Sequence, residues 1–404
     1  MLSSISWKNV WRNRTRSMVV ILAIMLGIAG GIFLLSFSWG MSVQRAQNRI
    51  ETEISHIQIH HPQFKDDQEV KYLLASGETI LQDIQNDARV KSATGRLIVG
   101  GMISSAKAGT GVRIQGVLPK TEAAVTQLPS KLMEGAYFED VRRNPILIGQ
   151  KLAEKLQVKL KNKVVLTFQD TQGEIVSGAF RIAGIFKTVS SQYDTREVFV
   201  RQSDLRKILN LEKGVHEIAL LLQDSEEVDS FQNMLASGHP DALVEDWYTL
   251  APDLRLFFES FEAVMQIFLL IIMLALAFGI INTMLMAILE RRQELGMLMS
   301  IGMNRRKIFF MIMLETLFLS IVGGILGLLL GFSLVSIFGH IGIDLSGIED
   351  SLEMLGMNPV VYPDIESSFY SRVALSVVLT AILSSLYPAY KALRLNPVEA
   401  VRAM

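Results

Sequence analysis

The stretch Glu290-Arg-Arg-Gln-Glu-Leu-Gly-Met-Leu-Met-Ser-Ile-Gly-Met-Asn-Arg-Arg-Lys307 decides how the rest of the chain is read. On its N-terminal side, residues 263–289 carry no charged side chain; on its C-terminal side, residues 308–339 carry only Glu315. Apolar runs of that length exceed the roughly 20 residues that cross a bilayer as a helix. A charged segment too short to fold alone, caught between two such runs, belongs at a membrane surface. Its basic ends, apolar strip and internal glycines suit an amphipathic helix lying along that surface. Such a helix can hand a push from a soluble partner to the spans on either side.

Working outward, residues 17–44 are also uncharged and give a first span. A cleaved signal peptide is the weaker reading, because the run is longer than the roughly 7–15 residues of a signal core. Before it, Lys8, Arg12, Arg14 and Arg16 lie among Trp7 and Trp11 at helical spacing, the composition of a helix resting at an interface. Between the first and second spans the texture changes. Alternating runs such as 56–60, 112–117, 163–168 and 180–186 read as strands, and 77–84, 149–156 and 203–211 as helices.

The expected fold class is an α+β membrane protein: four transmembrane helices with a large α+β extracytoplasmic domain inserted between TM1 and TM2. The expected order is an N-terminal amphipathic helix (1–16), TM1 and stalk (17–44), the outer domain (45–255), and stalk and TM2 (256–289). A coupling helix (290–307), TM3 (308–338), an outer loop (339–371), TM4 (372–391) and a tail (392–404) follow. A lobe boundary inside the outer domain, near 90–120 or 210–220, is left open. The N-terminal segment, the linker and the tail are net basic and the 339–371 loop is acidic. The positive-inside rule therefore predicts both termini and the linker in the cytoplasm, the large domain outside, and a multi-pass protein of the cytoplasmic (inner) membrane.

Half of the 404 residues are hydrophobic and mean hydropathy is +0.33, which fits a membrane part joined to a sizeable aqueous part. A net charge of −1 gives no reason to expect nucleic acid. The absence of cysteine excludes disulfides, thiol catalysis and Cys-ligated metal. His56 and His60 would stand about 13 Å apart on a strand, too far for one ion, so no metal site is expected. The chain carries no phosphate-binding loop, G-x-S-x-G or H-E-x-x-H motif. No catalytic residue is assigned, and a membrane-anchored enzyme is the weakest reading. Any energy source has to come from a partner.

Three further features stand out. Gly27 and Gly31 in the first span, and Gly323, Gly327 and Gly331 in the third, repeat every fourth residue, the pattern of close helix packing or a dimer contact. Glu315, about 12 Å beyond Lys307 along a helix, is costly in lipid unless paired. An arginine of the linker or of the N-terminal segment is its expected partner, which favours a clamp over proton translocation.

With these residues in view, the 290–308 segment resembles the cytoplasmic linker of the MacB/LolC/LolE/FtsX-type (type VII) ABC transporter permeases. Trp7–Ser17 is similar to that family's N-terminal basic helix. Ile148–Val158 with 163–166 and 180–186 is similar to its outer domain, and Tyr387–Arg402 to its C-terminal signature. The size of the outer domain makes the chain most like the LolC/LolE lipoprotein-releasing subunits.

The resemblance implies a permease that pairs with a second copy or a paralogue and binds a dimer of a separate ABC ATPase. ATP and Mg would sit on that partner, with no cofactor on this chain. Motion would pass through the linker and stalks to the outer domain, which is mechanotransmission. Carried over residue by residue, the coupling surface is Glu290, Arg291, Arg292, Glu294, Leu295, Gly296, Met299 and Gly302. Membrane lipid, a lipoprotein or a periplasmic carrier are the further partners implied. The alternatives are an FtsX-like regulator of a cell-envelope hydrolase, and an exporter of peptides or antibiotics.

Overall fold

The structure is a computed structural model that describes residues 2–139 and 143–394. From residue 395 onward the expected tail, and with it half of the C-terminal signature, lies outside the described residues. The chain divides into two units, one of residues 1–42, 258–344 and 360–404, the other of residues 43–257 and 345–359.

Among the described residues, four helices are long and apolar enough to cross a membrane. They are Arg14–Arg49, extended by a wider turn over Ile50–Ile54, then Pro252–Glu290, Arg305–Ile341 and Ser367–Leu393. Each is longer than its apolar stretch, because charged residues prolong the helix at one or both ends. In lipid there is no water to drive helices together, so contact depends on how closely backbones approach. Gly323, Gly327 and Gly331 supply that approach: a methyl group added at each would come within about 3 Å of Ile24, Ile28 and Ile32 of the first span. Gly27 and Gly31 face the second span, where the same addition would meet Leu276 at 3.1 Å and Ile272 at 2.6 Å. Both glycine rows thus pack within one chain, and these faces are occupied before any second copy arrives. A short helix, Leu2–Arg12, lies along the third span, with Trp7 edge-on to Phe318 at 5.5 Å and Ser6 Oγ donating to the Met311 carbonyl at 3.1 Å.

The second unit is built on a ten-stranded sheet. Its strands are β1 (Ile57–His60), β2 (Val90–Ser104), β3 (Gly109–Val117), β4 (Leu132–Gly135), β5 (Pro145–Gly149), β6 (Lys163–Gln169), β7 (Ile175–Phe186), β8 (Glu197–Arg201), β9 (Glu217–Leu222) and β10 (Leu243–Asp246). The order is β10-β1-β9-β2-β3-β8-β5-β7-β4, with β6 pairing both β2 and β7. The fifteen-residue β2 joins two lobes. Its first half pairs β9, and Ala93 shares a core with Ile59, Ile80, Leu220 and Phe231. Its second half pairs β3 and β6, and Leu97, Val99 and Ile103 share a different core with Ile148, Leu166 and Val198. The lobe boundary therefore crosses β2 between Ala93 and Leu97, and crosses the returning chain between Leu211 and Val215.

At that boundary Arg96 is 2 % exposed. Its guanidinium donates to Glu122 at 2.8 and 3.0 Å and to Glu217 at 2.6 Å. Burial opposes ionisation of Glu217, but Arg96, His60 and Arg113 outweigh it and hold the carboxyl far below its ordinary range. Burial likewise pushes the His216 imidazole down to about 4. Its Nδ1 accepts from the Ile98 N–H at 3.0 Å, and its Nε2, 3.0 Å from the Val70 carbonyl, therefore carries the proton.

Candidate functional site

The 290–307 segment is not the single helix its sequence pattern predicts. The second span continues as helix to Glu290, and a linker helix covers Arg292–Ser300. Gly302 then turns the chain with φ +97°, a backbone that side chains resist. Asn304 accepts from the Arg306 N–H to start the third span, so Arg305, Arg306 and Lys307 belong to that helix.

The break redistributes the expected coupling residues. Leu295 is 2 % exposed and Gly296 is also buried, so both face inward within the chain. Met299 is half-buried, and so is Arg292 at the helix start. The exposed apolar residues are Met297 and, beside Gly302, Ile301, which is 83 % exposed. The glycine break of the sequence pattern falls at Gly302, and the linker helix before it is nine residues long.

The charged residues form a chain of alternating sign. Glu315 is 4 % exposed, and Arg291 Nη1 reaches both of its carboxylate oxygens at 2.9 and 3.1 Å. Arg291 Nε donates to Glu294 at 3.1 Å, and Glu294 also accepts from Arg12 Nη2 at 2.5 Å. Arg12 and then Arg291 hold the Glu294 carboxyl below its ordinary range. Arg16 meets Glu290 at 3.3 Å. Arg291 is the arginine that the burial of Glu315 in an apolar helix requires. That Arg12 and Arg16 cover Glu294 and Glu290 has no counterpart in the sequence pattern. The N-terminal helix, linker helix and third span are thereby tied by four side chains, Arg12, Glu294, Arg291 and Glu315, and displacing one element strains the others.

In the second unit, the helical extensions of the first two spans are pinned together. Asp253 accepts from Arg49 Nη1 at 2.8 and 2.9 Å and from Arg45 at 3.4 Å. The short helix Glu349–Met354, from the loop between the third and fourth spans, is held to the sheet domain. Lys187 contacts Glu353 at 2.7 Å and Glu349 at 3.1 Å, and Ser191 donates to Glu353 at 3.3 Å. Glu353, then Glu349, keep Lys187 charged. Neither tie is visible in sequence, since the partners lie far apart along the chain. The histidines are engaged singly, His56 Nδ1 accepting from the Leu222 N–H and His60 Nε2 facing Glu217 at 3.1 Å. Among the described residues no group of three or more ligating side chains is placed to hold a metal ion.

Comparison with known proteins agrees with this architecture. Residues 17–237 match the MacB-like periplasmic core domain and residues 266–397 the FtsX-like permease C-terminal domain. The chain is 24% identical to the lipoprotein-releasing system transmembrane protein LolC of Neisseria meningitidis over 96% of its length and 94% of that protein. It is 24% identical to an uncharacterised ABC transporter permease of Methanocaldococcus jannaschii, covering 98% of this chain and 96% of that one. The pyoverdine export ATP-binding/permease protein PvdT of Pseudomonas fluorescens is 23% identical over 98% of the chain, which spans 58% of that longer protein. Among solved structures, the periplasmic region of MacB from Actinobacillus actinomycetemcomitans aligns with 52% of this chain and 96% of its own, at 13% identity and a TM-score of 0.37. The first domain match alone spans more than half of the sequence, and the chain belongs to the MacB/LolC/FtsX-type family of ABC transporter permeases.

Proposed function

We propose that this permease is the membrane subunit of a mechanotransmitting transporter. Its linker receives the closing motion of a separate ATPase dimer, which binds ATP and Mg, and its stalks deliver that motion to the outer domain. The observation that carries the reading is the chain Arg12–Glu294–Arg291–Glu315, which makes the linker helix and the third span respond together. The net basic N-terminal segment and linker support a cytoplasmic position for that cluster and for both termini. The contact with the ATPase is assigned to Met297, Ile301 and Gly302, since Glu290 and Glu294 are engaged within the chain and Leu295 and Gly296 are buried.

The cargo is a lipoprotein or another hydrophobic molecule released from the cytoplasmic membrane. The full-length likeness to LolC supports that class. A second permease, identical or paralogous, completes the complex. The test is reconstitution of the permease with its ATPase in lipid. Ile301→Asp is expected to lower cargo-stimulated ATP hydrolysis at least tenfold while the permease still inserts. Undiminished stimulation in that variant would remove the linker from the coupling path. Release of a lipoprotein, as against a soluble peptide, from loaded vesicles decides the cargo.

A further inference from the structure

Within the second unit, several stretches of chain close round a cavity of about 700 Å³ that the coupling scheme does not use. That is the size of a small-molecule site, but such sites are mostly apolar, and this one is walled largely by charged and amide side chains. The charges are not evenly matched. Lys65 has Glu245 at 2.5 Å, and Arg45 and Arg49 share Asp253, with Glu53 a further 3.4 Å partner of Arg49.

Two guanidiniums are different. Among the described residues the only carboxylate in salt-bridge range of Arg113 is Glu217 at 3.5 Å, and Glu217 already takes Arg96 at 2.6 Å and His60 at 3.1 Å. Glu197, paired in register with Arg113 across β3 and β8, is its nearest charge partner in effect but takes its hydrogen bond from Gln115 at 2.7 Å. Arg196, exposed and next in sequence, has no ion pair among the described residues.

We propose that the cavity binds a polar molecule through a phosphate or carboxylate group held by Arg113 and Arg196. Guanidinium forks suit the paired oxygens of such groups, and the volume leaves room for an organic body beyond the oxyanion. Arg45 and Asp253 belong to the same wall. Occupancy is therefore coupled to the pairing of the two stalks, and the bound molecule acts as a ligand sensed by the outer domain. Lipid headgroups and soluble metabolites both carry this chemistry.

The experiment uses the full-length protein, purified in detergent, as wild type, Arg196→Gln and Arg113→Gln. Inorganic phosphate binding is followed by calorimetry, and retention of phosphatidylglycerol against phosphatidylcholine by native mass spectrometry. Arg196→Gln lies on the surface and leaves folding intact, so it keeps the test decisive if Arg113→Gln unfolds. Phosphate affinity lowered at least tenfold in Arg196→Gln supports a soluble oxyanion. Selective retention of phosphatidylglycerol, lost in that variant, supports a lipid headgroup. Binding of neither probe, or binding indifferent to the substitution, overturns the proposal and leaves a water-filled cavity.

Discussion

Two clusters of opposed charge hold this permease together, and they are built to different ends. Around Arg96 in the outer unit the cluster is closed: Arg96, Glu122 and Glu217 are almost wholly buried, and the acids are met at 2.6 to 3.0 Å. Around Arg291 the cluster is graded. It begins with buried Glu315 and ends with Arg12 and Glu294, whose side chains are about half exposed. A closed cluster resists any change, because displacing one member strands a charge away from water. A graded one can exchange its outer members with solvent at small cost while its inner pair stays fixed. The first fixes geometry, and the second permits movement.

Substitutions can break or sharpen that contrast. The largest effect is expected for Arg96→Met, which strips Glu122 of its cation and leaves Glu217 only His60 and the more distant Arg113, at a cost of about 3–5 kcal/mol of stability; thermal unfolding of the purified permease should show it, and a melting temperature within a degree of wild type would mean the cluster is not closed. Arg291→Gln removes the partner of a carboxylate facing apolar helices, and the expected loss is roughly 2–3 kcal/mol, read from the same melting curves and from the yield of inserted protein.

Asp194 sharpens the comparison as a buried carboxyl held by the Thr188 N–H and hydroxyl rather than by a cation. Burial pushes it up to about 6, the Thr188 bonds working the other way. Its folded value lies above the unfolded one, so the stability it contributes is present below about pH 4 and lost as pH rises through 6. Asp194→Asn should therefore raise stability by about 1–2 kcal/mol at pH 7.5, and the gain should vanish at pH 4. The smallest stability effect is expected for Arg12→Gln, under about 1 kcal/mol for an exposed pair. Coupled ATP hydrolysis by the reconstituted complex should nevertheless fall in that variant, because the N-terminal helix is released from the linker.

The spans were legible because contrast between charged and apolar residues is local: the uncharged runs 17–44 and 263–289 lie inside Arg14–Arg49 and Pro252–Glu290. Strands such as Lys163–Gln169 declared themselves by alternation. The need of Glu315 for an arginine followed from the cost of a lone charge in lipid. What could not be read was which side of the linker faces inward. Of the expected coupling residues Leu295 and Gly296 are buried, a packing set by neighbouring helices that leaves no mark in the linker's own sequence. The Arg96 cluster was also invisible, since its acids stand 26 and 121 residues away and pairing across folded lobes leaves no periodic trace. The cavity has the same origin, in residues brought together only by the sheet.

The long strand β2 carries a consequence of its own. One uninterrupted backbone contributes Ala93 to one core and Leu97 to the other, with Arg96 clamped between them. A hinge between the lobes would have to bend a hydrogen-bonded strand at its most tightly held residue. The two lobes therefore form one stiff body, the property that the proposed transmission of motion requires.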